Sequence, residues 1–331
     1  MNKQLCRIIR ETSRPQVPVP TGEIGSLQIL ENIRAVFFDI YGTLFISCSG
    51  EIGAIPMYAE LDRGLKVTGD TQGRALPLAL GKKFIELYPN SSQQSSTSTA
   101  EKHAATQGHN EYDYRQCGND LISAFQNKVR KIHEAKQQEG IPWPEVDVRE
   151  IWEKIISEKS EEAGPEIFSH IDRWATEYEV RTNPVWPMPN ATDCIDRLGS
   201  ANLTLGIISN AQFYTPLLFP ALMNRQLEDL EISAEMQYYS YCGGRSKPDV
   251  WMFDQAAKSL AQKGITPRQT LYVGNDMLND ILPAAQVGFR TALCAADQRS
   301  LRLREDDSRV SQTVPDIVVT NLEEVIACVL K

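Results

Sequence analysis

Residues 34–40 read Arg-Ala-Val-Phe-Phe-Asp-Ile, a short apolar run that meets an acid. It has none of the polar alternation of a half-buried strand. Such a run suits a strand covered on both faces, as in a parallel sheet. This constrains the rest of the chain, because parallel strands need long crossover connections, usually helices. The C-terminal part supplies them. Residues 203–209, 270–275 and 289–294 read as strands, and 238–244 is a further candidate. Residues 249–264 read as a helix stopped by Gly264, and 316–330 as a strand followed by a helix. Strands alternating with helices predict an α/β fold, a parallel sheet with helices on both faces.

The middle of the chain has a different period. Leu121, Ile122, Phe125, Val129 and Ile132 recur at spacings of three and four, as do Ile151, Trp152, Ile155 and Ile156. The expected organisation is a Rossmann-like core over 31–46 and 187–331, interrupted by a mainly α-helical domain over 47–186. Trp143, Trp152 and Trp174 are expected in the core of that insertion. Residues 89–113, rich in Ser, Thr and Gln, read as a surface loop. Residues 1–30, polar and carrying Pro15, Pro18 and Pro20, read as an arm of low order.

Composition narrows the partners. A net charge of -9 argues against nucleic acid or an anionic membrane as a bulk-charge partner. There is no long apolar run, so no signal peptide or membrane span is expected. The seven cysteines are scattered without a C-x-x-C pair, which suits reduced thiols in a cytoplasm. The four histidines, His103, His109, His133 and His170, form no set. Oligomeric state has no signal.

In open parallel sheets ligands bind beyond the carboxyl ends of the strands. The polar residues there are Asp39, Gly42 and Thr43 after the first strand, and Ser209 and Asn210 after the second. Ser246 and Lys247 precede the helix at 249, and Asn275, Asp276 and Asp280 follow the strand at 270. Together they have a coherent use. Asp39 can attack as a nucleophile. Ser209 can bind the oxygens of an anionic substrate, and Lys247 can balance charge in the transition state. Asp276 and Asp280 can hold a hard cation such as Mg²⁺. Taken singly, Ser209-Asn210 reads as a turn, Lys247 as a solvated charge, Asp249 as a helix-start residue, and Asp280 as a cap near Pro283.

The order of these motifs resembles the haloacid dehalogenase (HAD) superfamily of hydrolases. The family's first motif, D-x-D-x-T-L or a variant, stands here as Asp39-Ile40-Tyr41-Gly42-Thr43-Leu44. Ser209 matches its second, Lys247 its third, and the segment from Tyr272 to Phe289 its acidic fourth. The resemblance implies a cap domain between motifs one and two, an Asp39 nucleophile, and Thr43 and Ser209 orienting nucleophile and substrate. It also implies Mg²⁺ held by Asp39, the Tyr41 carbonyl, Asp276, Asp280 and Asn275, with Asp276 the foremost carboxylate. Gly42 and Asn210 are expected to border a small anionic substrate.

Two departures bear on the reaction. Tyr41 stands where phosphatases carry the aspartate that protonates the leaving oxygen, and an unperturbed phenol has a pKa near 10. The 2-haloacid dehalogenases carry a similar D-x-Y-G-T-L and need no metal. Against this, three carboxylates in one site would repel one another unless a cation joined them. The resulting expectation is Mg-dependent hydrolysis of a small phosphorylated metabolite. The alternatives are metal-independent 2-haloacid dehalogenation and a catalytically silent binding module. For a haloacid carboxylate, Arg115 and Arg130 are the candidate partners in the insertion.

Overall fold

The structure is a computed structural model that describes residues 2–47, 70–88, 110–159 and 169–330. Most of the expected Ser/Thr/Gln loop, residues 89–109, lies outside the described residues. Asn110 and Asp113, at its end, instead form a reciprocal capping box.

A six-stranded sheet forms the core. Its strands are β1 (Ala35–Phe38), β4 (Thr204–Ser209), β5 (Gln237–Tyr239), β6 (Thr270–Gly274), β7 (Arg290–Cys294) and β8 (Ile317–Val319), in the order β5-β4-β1-β6-β7-β8. All neighbours are parallel. Every side chain of β1 is buried. Val36 and Phe38 pack on one face with Ile195, Leu198, Val325 and Ile326, from α6 (Ala191–Ser200) and α9 (Leu322–Val329). Ala35 and Phe37 pack on the other with Met252, Phe253, Leu260 and Ala284, from α7 (Trp251–Gln262) and α8 (Leu282–Val287). The apolar run thus reflects two helical layers, since alternate strand residues face opposite sides.

β1 lies between β4 and β6, with Phe38 level with Ile207 and Val273. The first strand therefore stands where the chain order turns to both sides, and the residues just beyond β1, β4 and β6 share one edge.

The chain leaves and re-enters the core through an antiparallel ribbon of β2 (Phe45–Ser47) and β3 (Val185–Pro187). Between them stand α2 (Asp70–Leu87), α3 (Glu111–Gln138), α4 (Val148–Lys159) and α5 (Ile171–Thr182). Their apolar faces meet around Phe84, Phe125, Trp152, Trp174 and Tyr178. Trp143 is not part of that core. It is half-buried at the seam, where the Arg309 guanidinium lies 5.3 Å from its ring centroid.

The N-terminal segment departs from the expected arm of low order. Asn2–Thr12 form α1, which buries Leu5, Ile8 and Ile9 against α5 and the turn at 219–223. The signal was present, since these apolar residues fall on one helical face. Beyond it, residues 13–30 run extended over the core, and Ser26 pairs antiparallel with Val318. The three prolines suit this path, because an extended strap needs few backbone donors.

Candidate active site

Asp39 follows β1 and is 5% exposed. Its backbone N–H donates to the Val273 carbonyl, so the ladder with β6 continues to the acid itself. The next residues turn sharply, and the Ile40 carbonyl accepts from Leu44 and Phe45. Gly42 takes φ +87°, and a β-carbon there would lie 2.6 Å from Asn275 Nδ2 and 2.7 Å from Ser300 Cβ. Glycine is required on both counts, backbone angle and close approach.

Lys247 reaches Asp39 from across the crevice. Its Nζ donates to Asp39 Oδ1 at 2.8 Å and Asp280 Oδ1 at 2.5 Å, and lies 3.1 Å from the Tyr272 hydroxyl. Burial alone would depress this ammonium, but the carboxylates of Asp280 and Asp39 outweigh it and hold its pKa above the ordinary lysine value. Asp280 Oδ2 accepts the backbone N–H groups of Asn275 and Asp276, both at 2.9 Å. Burial raises the Asp280 carboxyl to about 6, partly offset by Lys247. Asp280 is thus both a structural anchor and a member of the charged set.

Several candidates occupy roles other than those expected. The Tyr41 side chain turns inward, its hydroxyl 3.2 Å from that of Tyr214 and 2.9 Å from Thr215 Oγ1. Burial pushes that phenol well above its ordinary value, so it stays protonated and sealed from the cleft as an acid. Thr43 Oγ1 donates to Asn275 Oδ1 at 3.1 Å and ties motif one to motif four. Ser209 is fully buried at the end of β4, its hydroxyl 3.4 Å from the Asn210 carbonyl, and it does not border the cleft. Asn210, expected to border substrate, does line the cleft, but its amide clamps Lys247. Oδ1 accepts from Lys247 N at 2.7 Å, and Nδ2 donates to its carbonyl at 3.3 Å. Asp249 accepts from the Trp251 N–H, as a helix-start residue should.

The carboxylate expected to be foremost for a metal is already committed. Asp276 Oδ1 accepts from the Leu278 and Asn279 amides, capping the turn at 277–281. The Arg304 guanidinium clasps it as well, with Nε 3.2 Å from Oδ1 and Nη2 2.6 Å from Oδ2. Asn275 is committed too, its Oδ1 to Thr43 and its Nδ2 to the Ser300 carbonyl at 2.7 Å. Asp39, Tyr41, Asn275, Asp276 and Asp280 do line one cleft. Yet among the described residues no three His, Cys, Asp or Glu side chains are gathered as a metal site. The donor set in this arrangement does not fit Mg²⁺. The repulsion expected among three carboxylates is relieved by Lys247 and Arg304.

Sequence reasoning missed Tyr272, Ser300, Arg302 and Arg304. Tyr272 lies inside β6 and reads as a core aromatic, yet its hydroxyl lies 2.8 Å from the Ile208 carbonyl and 3.0 Å from Asp280 Oδ1. The other three lie in the connection after β7 and belong to no motif. Of the insertion's candidate arginines, Arg115 pairs with Glu111 along α3. Arg130 lines a separate cavity of about 500 Å³ with His133, Glu145 and Gln212.

A family model for hydrolases described as haloacid dehalogenase-like matches residues 33–288. The chain belongs to the haloacid dehalogenase-like hydrolases. The match takes in β1 with Asp39, the insertion, Ser209, Lys247 and the acidic segment as far as Gly288. No curated protein matches significantly. Similar solved structures include a 2-haloacid dehalogenase from Pseudomonas syringae pv. Tomato DC3000, at 15% identity over 89% of this chain and 97% of that one, TM-score 0.46. A putative HAD hydrolase from Bacillus subtilis, bound to magnesium, is 17% identical over 91% of this chain and 100% of its own, TM-score 0.42. A HAD phosphatase from Thermococcus onnurineus is 14% identical over 89% and 97%, TM-score 0.42. At these values the likenesses carry no choice between dehalogenase and phosphatase chemistry. No helix among the described residues of this HAD-like hydrolase is long and apolar enough to cross a membrane.

Proposed function

We propose that the protein hydrolyses a small phosphorylated metabolite through covalent attack by Asp39, and that the leaving group departs without a proton from residue 41. The observation that carries this is the state of Asp39. Lys247 holds Oδ1, while Oδ2 has no hydrogen-bond partner among the described residues. One oxygen fixed and one available is the arrangement a carboxylate nucleophile needs. Asp39 Oδ2 would attack phosphorus, the bond to the leaving oxygen would break, and water would then cleave the aspartyl phosphate. Lys247 balances the charge gathered on nucleophile and phosphoryl group.

With the Tyr41 phenol sealed, the leaving group must be stable as an anion. An acyl phosphate or phosphate anhydride meets this condition; a simple alkyl ester would lose about 10²–10⁴-fold without a general acid. Magnesium, general in the family, enters as a variable of the assay, since the donor set does not fit it here.

A second reading is displacement of halide from a 2-haloacid. It is favoured by the Asp276–Arg304 pair, which compensates the acidic cluster with no divalent ion. Halide also needs no proton to leave.

The test is hydrolysis of acetyl phosphate and 4-nitrophenyl phosphate, with Mg²⁺ or with EDTA, by wild type and Asp39→Asn. Phosphate release lost in the variant supports the first reading. Chloride release from 2-chloropropionate in EDTA, also lost in the variant, would replace it with the second. Absence of both would leave a binding module.

A further inference from the structure

The four family motifs leave one wall of the cleft unassigned. It is formed by the connection after β7, which brings Ser300, Arg302 and Arg304 to the mouth. The loop is pinned on two sides. On the outer side the N-terminal strap holds it: Val19 N–H donates to Asp297 Oδ1 at 3.0 Å, and Arg299 Nη2 to the Val17 carbonyl at 2.8 Å. On the inner side it is stitched to motif four. Arg302 N–H donates to the Asn275 carbonyl at 3.0 Å, and its carbonyl accepts from Met277 N–H at 2.9 Å.

Arg304 stands beyond this stitched segment with φ 57°, in the left-handed region. A non-glycine residue there is uncommon and is held by its surroundings. From that position its guanidinium borders the cleft beside Asp39 and Lys247. The two cations differ in access. Both are paired with carboxylates, but the Lys247 side chain is 3% exposed and that of Arg304 27%. Arg302 Nη1 is turned to the backbone carbonyls of Arg299 and Leu301. Among the described residues, no residue of the helical insertion lines this cleft.

We infer that Arg304 recognises the anionic group of the substrate, sharing its guanidinium between Asp276 and an oxyanion, phosphate or carboxylate, seated over Asp39. The planar guanidinium fork matches either group, which an ammonium does not. Asp276 is then a positioning residue, and the strained backbone at 304 sets where the fork points. This deepens the proposed function and rests on the same cleft, but recognition can be read without turnover.

The experiment is calorimetric titration of inorganic phosphate, and separately of acetate, into the full chain. Wild type is compared with Arg304→Gln, Arg304→Lys and Arg302→Gln, each checked for folding by circular dichroism. The expected result is binding of at least one anion by wild type, weakened at least tenfold in Arg304→Gln and less than threefold in Arg302→Gln. Arg304→Lys should fall between, because charge is kept and the fork is lost. The anion that binds identifies the source, phosphate or carboxylate. Equal weakening by Arg302→Gln would overturn the inference, since a general loss of charge would explain it. So would wild-type affinity in a folded Arg304→Gln, or no binding of either anion by wild type. If Arg304→Gln does not fold, a folded Arg304→Lys binding as wild type overturns it equally. Should turnover be absent with every substrate while anion binding still depends on Arg304, the Asp39 reading fails and this one stands.

Discussion

Two regions of the molecule are buried to the same degree and held by different physics. In the cleft, Asp39, Lys247 and Asp280 are all at most 5% exposed, and nearly every polar atom there has a partner. In the insertion, Phe125 stacks on Trp152 at 4.9 Å, and Trp152 meets Trp174 edge-on at 5.1 Å and Tyr178 at 4.8 Å. There Trp152 Nε1, Trp174 Nε1 and the Tyr178 hydroxyl are buried with no hydrogen-bond partner among the described residues. The aromatic cluster gains enough from area and ring contacts to tolerate unpaired weak donors. A buried charge has no such margin, because its desolvation cost exceeds what packing returns. The cleft therefore depends on each partner in a way the insertion does not.

Removing one charge should break the cleft most severely. Lys247→Met leaves two buried carboxylates facing each other, and should cost about 3–5 kcal/mol in denaturant melts. Turnover should also fall by about 10²–10³-fold, with Lys247 no longer balancing the transition state. A melt like that of wild type would mean the triad is not held by its ammonium.

In the insertion, Trp152→Ala should cost about 3–5 kcal/mol by opening a cavity, and Trp152→Phe clearly less. Equal losses would mean that the indole N–H, not ring packing, matters there.

The third prediction concerns pH. The Asp280 carboxyl is raised from 3.8 to about 6, so the folded protein holds that proton more tightly than the unfolded chain. Its contribution to stability is full below pH 3.8 and is lost as pH rises through about 6. Wild type should therefore lose stability relative to Asp280→Asn across that window, as read by thermal melts at a series of pH values. A constant difference would place the raised carboxyl elsewhere.

The smallest effect is expected at Tyr41. Tyr41→Phe removes hydroxyl contacts to Tyr214 and Thr215 and should cost about 1 kcal/mol. Turnover should change less than about threefold, because the lost group faces away from the cleft. A larger fall would return the phenol to the chemistry.

Asp39, Lys247 and Asp280 were legible as a set because each follows a strand end, and parallel strands carry such residues to one edge. What they touch was less legible. Asn210 and Thr43 read as substrate and nucleophile contacts; Asn210 does line the cleft, and the two residues also hold Lys247 and Asn275, which the sequence did not show. Tyr272 was hidden because a strand aromatic signals packing and gives no hint of what its hydroxyl meets. Helix α1 was hidden by its polar flanks and by the prolines after it.

By itself, the sequence determined the period of each segment, and with it the parallel sheet, the helical insertion and the edge where the chemistry gathers. Local pattern is enough for these, since burial on one face or two is written in the spacing of apolar residues. Only the tertiary structure decided that Arg304, 28 residues along the chain from Asp276, supplies its counter-charge. That pairing depends on a loop fixed by the N-terminal strap and the motif-four turn together. Electrostatic partners are chosen by distance in space, and no spacing in the chain records it.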